Sequence, residues 1–296
     1  MLQFKDAAFI KGYVLAAISA ITFGLIPLFI LPLKKSEFSL DVTLFYRFFI
    51  GAVALSFVLL YQKESLKINF KEFYIYIILA LCYGFSADFL FLGYDYLTPG
   101  IASTILFTYP VLVAIILMLF FKEKLSKASI LSLIITFVGI VLLSFKENSA
   151  EINLIGLGVC LFSGLCYALY IIIVNKSKLN VSGLKVTFYS LLFTSFYYLI
   201  KSTHNEESII IQDPETLINL TLFSLITTVV SVSALVYAIK YIGSTQTSIM
   251  GALEPVVAII VSVTLFGELI TLNLILGVIL IIFGVLISIL FNKKQQ

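Results

Sequence analysis

Ten apolar runs joined by short polar connections make up most of this 296-residue chain. They lie at roughly 12–31, 42–61, 73–94, 99–121, 128–145, 154–174, 185–200, 217–240, 245–266 and 272–291. A helix needs about 20 apolar residues to cross a hydrocarbon layer about 30 Å thick. In lipid the backbone must satisfy its own hydrogen bonds, which a helix does within one segment. The sequence therefore predicts an all-α integral membrane protein with ten transmembrane helices. Composition agrees, with 61% hydrophobic and 12% charged residues and a mean hydropathy of +1.12. Soluble domains carry about 25% charged residues, so this surface must meet lipid.

The lysines orient the spans. With the N-terminus in the cytoplasm, inside segments hold Lys5, Lys11, Lys63, Lys67, Lys71, Lys122, Lys124, Lys127, Lys176, Lys178, Lys185, Lys240, Lys293 and Lys294. Outside segments hold Lys34, Lys35, Lys146 and Lys201. Fourteen against four fits the positive-inside rule with an even helix count and both ends cytoplasmic. Met1–Phe9 precedes a run of spanning length, so that run is read as a retained helix and not as a signal peptide. A bacterial inner membrane is the expected location.

Several function classes have little support. The net charge of +3 is small and scattered, so no nucleic-acid partner is expected. Cys82, Cys160 and Cys166 all lie in apolar runs, too few and too separated for a metal framework, and read as small buried hydrophobes. No metal and no cofactor are expected. HExxH and GxSxG motifs are absent, and the single histidine, His204, lies in the polar connection 201–215, so the chain is not read as an enzyme. The spans also lack the rings of like charge or the carbonyl-filter sequence of a channel.

A shift of 145 positions aligns the segment 105–139 with 250–284 without a gap. Pro110 meets Pro255, Val111 meets Val256, Phe121 meets Phe266, Glu123 meets Glu268 and Gly139 meets Gly284. Apolar helices share residues by chance, but proline, glutamate and glycine at one offset do so far less readily. The chain thus divides into two five-helix repeats, 1–147 and 148–296. Five is odd, so the second repeat runs inverted across the membrane. Inverted repeats are typical of secondary transporters, with the binding site near the midplane where the repeats meet. Pro110 and Pro255, near the middle of the fourth and ninth spans, are candidate hinges; the plainer reading is a packing kink.

The repeated pattern "P-V-x-A/V-x-I … E-x-L/I-S/T … G" resembles that of EamA-type transporters of the drug/metabolite transporter superfamily. It is carried by Pro110, Val111, Glu123, Leu125, Ser126 and Gly139, then by Pro255, Val256, Ala258, Glu268, Ile270, Thr271 and Gly284. "TFG" at 22–24, "FYRF" at 45–48 and "CYALY" at 166–170 resemble further motifs of that family. The resemblance covers nearly the whole chain. It implies a ten-helix fold with a central cavity, alternating access, and often export of amino acids or related metabolites. It does not identify a substrate.

Ionisable residues inside spans are expensive and mark candidate sites. Glu254 stands near the middle of the ninth span, Asp88 in the outer half of the third and Arg47 near the outer end of the second. A carboxyl held from water can sit neutral and ionise when water or a cation arrives, as a proton-coupled carrier requires. Pro255 beside it would free a backbone carbonyl for an ammonium, an ion or water. The plainer reading has Glu254 bonded to a neighbouring helix. Its repeat counterpart is Tyr109, so the halves are chemically unequal there. Tyr83, Tyr167 and Tyr170 are candidate cavity walls or packing residues, and Gln246 approaches Glu254 from the cytoplasmic end. Glu123 and Glu268, at helix ends, read as structural.

These residues favour a secondary active exporter of amino acids or similar neutral or zwitterionic solutes, open to coupling with protons. A phosphorylated solute would call for several cavity cations, whereas only Arg47 is embedded, and at the periphery. A nucleotide-sugar or phosphorylated-metabolite antiporter, and a non-transport structural protein, are the alternatives. The expected partners are a small-molecule solute, the lipid bilayer and protons.

Overall fold

In the computed structural model, the described residues are 7–26, 28–29, 39–93, 95–97, 102, 105–144, 153–177, 179–211, 213–266 and 270–291. The helices are α1 (Ala7–Gly24), α2 (Leu40–Tyr61), α3 (Phe70–Gly93), α4 (Tyr109–Phe121), α5 (Lys127–Ser144), α6 (Leu154–Lys176) and α7 (Gly183–His204). They continue as α8 (Pro214–Ser224), a π-helical turn (Leu225–Val230), α9 (Ser231–Gly251), α10 (Leu253–Phe266) and α11 (Leu272–Phe291). No strand occurs among the described residues. Gly243, at φ +80° and ψ 170°, breaks α9 in a conformation that suits glycine. That break ends the eighth span and begins the ninth, so ten spans result. Leu40–Tyr61, Phe70–Gly93, Leu154–Lys176, Pro214–Gly251 and Leu272–Phe291 are long and apolar enough to cross a membrane by length and composition.

Local chemistry sets many of the starts. Asn69 and Glu72 form a reciprocal capping box ahead of α3, with Glu72 N–H donating to Asn69 Oδ1 at 2.8 Å and Asn69 N–H to Glu72 Oε2 at 3.2 Å. Asn153, Ser182 and Asp213 cap α6, α7 and α8 by accepting backbone N–H groups. The seventh helix runs past the expected end at 200, so Lys201 and His204 belong to its last turn and not to the following loop. Lys201 is held there by Asp41 and Asp88.

The connections sort to two faces. On one, Ser182 Oγ donates to Glu64 Oε2 at 2.6 Å, Lys185 Nζ donates to the Lys67 carbonyl at 2.6 Å, and Lys176 pairs with Glu123. On the other, Tyr46 donates to the Ile209 carbonyl at 2.7 Å, Asn205 to Asp41 at 3.2 Å and Asn219 to the Phe29 carbonyl at 3.2 Å. Lys63, Lys67, Lys71, Lys122, Lys124, Lys127, Lys176, Lys185 and Lys240 belong to the first face, as does Lys11, which lies 5.4 Å from the Tyr241 ring. Among the described lysines, Lys201 alone belongs to the second.

The halves interleave about a pseudo-two-fold axis. Helix α1 packs along α9 as α6 packs along α3, while α2 faces its counterpart α7 and α5 faces its counterpart α11. Buried serines repeat the relation: Ser231 Oγ donates to the Ser19 carbonyl at 3.1 Å, and Ser163 Oγ donates to the Ser86 carbonyl. The same counterparts are bridged, with the donor role exchanged. At the α5–α11 crossing, a Cβ on Gly139 would lie 2.8 Å from the Gly277 carbonyl oxygen. One on Gly284 would lie 3.1 Å from that of Ser132, the counterpart of Gly277. Small residues are what let two membrane helices approach so closely. The fold is therefore all-α, with ten helical spans in two inverted five-helix repeats.

Candidate functional site

Both proline-bearing spans are interrupted just before the proline. In the ninth, the Ala252 N–H bonds back to the Ile249 carbonyl at 3.1 Å, and α10 restarts at Leu253. In the fourth, the Thr108 N–H bonds the Ile105 carbonyl at 3.1 Å, and α4 starts at Tyr109. Pro110 and Pro255 thus occupy first turns, where a missing N–H would have had no helical partner anyway. The cost of about 3 kcal/mol for a proline inside a helix does not arise, which corrects the expectation of mid-helix prolines. Counted from Gly243 at about 1.5 Å per residue, Glu254 lies about 16 Å along its span, roughly half of the hydrocarbon thickness.

Glu254 is only 2% exposed. Its Oε1 accepts from the Tyr109 hydroxyl at 3.3 Å, and its Oε2 has no hydrogen-bond partner among the described residues. Gly251 leaves the room for this contact, since a Cβ there would lie 1.7 Å from the Tyr109 hydroxyl. An unpaired carboxylate oxygen in such a place is costly, and native chains keep few of them.

Aromatic rings spread from this point. Tyr109 meets Tyr167 edge-on at 4.7 Å, and Tyr167 stacks with Phe23 at 6.3 Å and with Tyr83 at 6.2 Å. Tyr170 stacks with Tyr83 at 5.3 Å, and Phe48 meets Tyr83 at 5.4 Å. The Tyr83 hydroxyl is buried without a partner.

Arg47 closes the far side of this layer. It is 6% exposed, with its guanidinium 4.7 Å from the Phe223 ring, 5.5 Å from Phe48 and 5.7 Å from Phe23. Its Nε donates to Thr228 Oγ1 at 2.7 Å and its Nη2 to the Thr227 carbonyl at 3.4 Å. No acidic side chain pairs with it among the described residues. The expectation of a peripheral arginine is therefore corrected: α2 buries Arg47 against α8 and the π-turn. Arg47 packs on Phe23 and Phe48, which contact Tyr167 and Tyr83, and Glu254 is reached through Tyr109, so the two residues flank one aromatic layer.

The remaining candidates are placed elsewhere. Asp88 accepts from Lys201 at 2.8 Å and from Tyr197, and Lys201 also bonds Asp41 at 2.9 Å, a cluster of α2, α3 and α7 on the face opposite the lysine-rich one. Gln246 is half-buried three residues after the Gly243 break and makes no hydrogen bond to Glu254. Glu123 pairs with Lys176, whose ammonium lies 5.0 Å from the Phe121 ring. Glu268 lies outside the described residues. Sequence reasoning missed Thr227, Thr228, Asp41 and the role of Lys201, which carry no local motif, and quoted Phe23 only within "TFG" without a role.

The EamA-like transporter family model matches residues 10–145 and again 154–290. The chain belongs to the EamA-like transporter family. Among curated EamA-like relatives, the uncharacterized transporters YyaM and YvbV of Bacillus subtilis (strain 168) are each 26% identical to it. YyaM aligns over 85% of this chain and 87% of its own length, YvbV over 90% and 88%. The uncharacterized transporter YdfC of the same organism is 22% identical, over 85% of this chain and 82% of its own. A solved crystal structure superimposes with a TM-score of 0.79 at 14% identity, covering 96% of this chain and 97% of that one, which shows the shared fold. Membership of the EamA-like family, with five helices long and apolar enough to cross a membrane, makes this a multi-pass membrane protein of a transporter family and not of an enzyme family.

Proposed function

We propose that this EamA-like protein is a secondary active exporter of amino acids or similar small zwitterionic solutes, working by alternating access between repeats 1–147 and 148–296. The supporting observation is that, among the described residues, a buried carboxyl with an unpaired oxygen, Glu254, flanks the same aromatic layer as a buried guanidinium without an acidic partner, Arg47. A zwitterion supplies both missing partners: its ammonium goes to Glu254 and its carboxylate to Arg47. Leaving two such groups empty is unfavourable, and a neutral apolar solute would relieve neither. A single guanidinium suits one carboxylate better than a polyphosphate, which calls for several cations. In the absence of solute, a proton at Glu254 is the natural substitute for the ammonium, which makes this residue the coupling site. The breaks before Pro110 and Pro255 act as hinges. The lysine-rich face is assigned to the cytoplasm of a bacterial inner membrane, with both termini there.

The test is flux of radiolabelled amino acids in proteoliposomes under an imposed pH gradient, wild type beside E254Q. Flux should follow the gradient in the wild type, and E254Q should keep exchange while losing gradient drive. Movement of phosphorylated metabolites and of no amino acid would overturn the solute class. Equal gradient drive in E254Q would overturn coupling at Glu254.

A further inference from the structure

We infer that the π-turn Leu225–Val230 and Arg47 together form a carboxylate-binding subsite in which Thr228 is the positioning residue; the inference deepens the zwitterion reading and rests on it. The turn is an asymmetry between the repeats. Its counterpart on α3 lies within the continuous α-helix Phe70–Gly93, so the fold does not require a π-turn at this depth. Isolated π-turns inside helices occur frequently at functional sites.

The turn changes which backbone groups are available. The Ser231 N–H bonds the Thr228 carbonyl, three residues back, in place of the Thr227 carbonyl that an α-helix would use. The Thr227 carbonyl accepts from Arg47 Nη2, while the Thr227 hydroxyl turns back to the Phe223 carbonyl at 2.8 Å. The Thr228 hydroxyl instead accepts from Arg47 Nε at 2.7 Å. A hydroxyl that accepts still has its own O–H to donate, and a guanidinium has five N–H bonds in a planar fork. Among the described residues, no acceptor takes the Thr228 O–H or the Nη1 edge of Arg47. The rings of Phe23, Phe48 and Phe223 surround the cation and supply no oxygen. What converges here is the Thr228 O–H and the Nη1 edge of one guanidinium, both lacking an acceptor among the described residues. A carboxylate, planar and with two oxygens, matches an arginine fork edge to edge.

The test uses acetate as the smallest carboxylate, so that it does not depend on transport. Purified protein in detergent is heated with sodium acetate or inorganic phosphate at fixed ionic strength, comparing wild type, T228V, T228S and R47K. Acetate should raise the unfolding midpoint of the wild type and of T228S. In T228V the half-effective acetate concentration should rise about tenfold, the value of one hydrogen bond to a charged group. R47K keeps the charge but not the fork and should lose the effect as well, and it carries the comparison alone should T228V not give monodisperse protein. Equal protection of T228V and wild type, no protection of the wild type, or protection by phosphate at lower concentration than by acetate would each overturn the subsite. Proteoliposomes that move no amino acid, made from protein that acetate still protects, would overturn the transport reading while leaving this one in place.

Discussion

Tyr109 donates to Glu254 over 3.3 Å, and the two residues stand 145 positions apart, one full repeat. A residue can touch its own counterpart only where the pseudo-two-fold axis passes between them. Phe23 and Tyr167, 144 positions apart in the first and sixth spans, stack near the same point. The axis therefore runs through the candidate site, and there the repeats share backbone geometry while differing in chemistry. Tyr109→Phe removes the one donor to Glu254. It should lower stability by about 1–2 kcal/mol, because the acceptor is buried and the bond is long. A cycle with E254Q, read from unfolding midpoints in detergent, should give a coupling of about 1 kcal/mol; additive single changes would mean the contact is not made in the folded protein.

Gly251 should be as sensitive as the pair it accommodates. A Cβ there would meet the Tyr109 hydroxyl at 1.7 Å, the ring carbon Cζ at 2.9 Å and Glu254 Oε1 at 3.2 Å. Gly251→Ala is expected to cost about 1–3 kcal/mol by overpacking. The cost should fall in a Tyr109→Phe background but not vanish, since the ring carbon stays too close. An alanine without effect on the unfolding midpoint would place Tyr109 away from Gly251.

The serine bridges test the axis away from any charge. Ser163→Ala and Ser231→Ala each remove the buried donor of one of the two related bridges from the second repeat to the first. Each should cost about 1 kcal/mol, and the two costs should agree to within about 0.5 kcal/mol. Thr203→Ala, at an exposed position bonded only to its own helix, should change stability by less than about 0.5 kcal/mol. Markedly unequal serine costs would show that the two bridges do not bear load alike.

Much of this architecture is legible in the sequence because it is periodic or repeated. Span number follows from the apolar runs, inversion follows from an odd repeat, and Glu254 is conspicuous as an acid in a run that otherwise carries no charge. The rest depends on what packs against each helix. Arg47 sits in "FYRF" whether it points at lipid headgroups or inward. Its burial is decided by α8 and a π-turn about 180 residues away, and "LITTVV" has no signature that separates a π-turn from an α-helix. Pro110 and Pro255 read as interior prolines because the break before each is a single turn with no left-handed residue to mark it. Asp88 reads as an isolated acid because its partner Lys201 lies 113 residues on, in a stretch whose serine, threonine and histidine resemble a loop.

That Lys201 cluster yields the last prediction, which concerns pH. Lys201 bonds Asp41 and Asp88, carboxylates on two helices of the first repeat, from the end of α7 in the second. Burial opposes its charge, but the bonds and attraction of Asp88 and Asp41 outweigh that and hold it above the ordinary lysine value. A group whose folded value is raised contributes stability that is complete below its unfolded value, about 10.4 for lysine, and lost as pH rises through the folded value. On the lysine side the cluster should therefore be indifferent to pH from about 7 to 9 and weaken only in stronger alkali. The lysine side chain is 35% exposed, so solvent screens the pairs, and Lys201→Met should cost only about 1 kcal/mol. The difference in unfolding midpoint between wild type and K201M should stay constant between pH 7 and 9, then shrink above about pH 10.5. A difference that already shrinks between pH 7 and 8 would show that Lys201 is not held charged by both carboxylates.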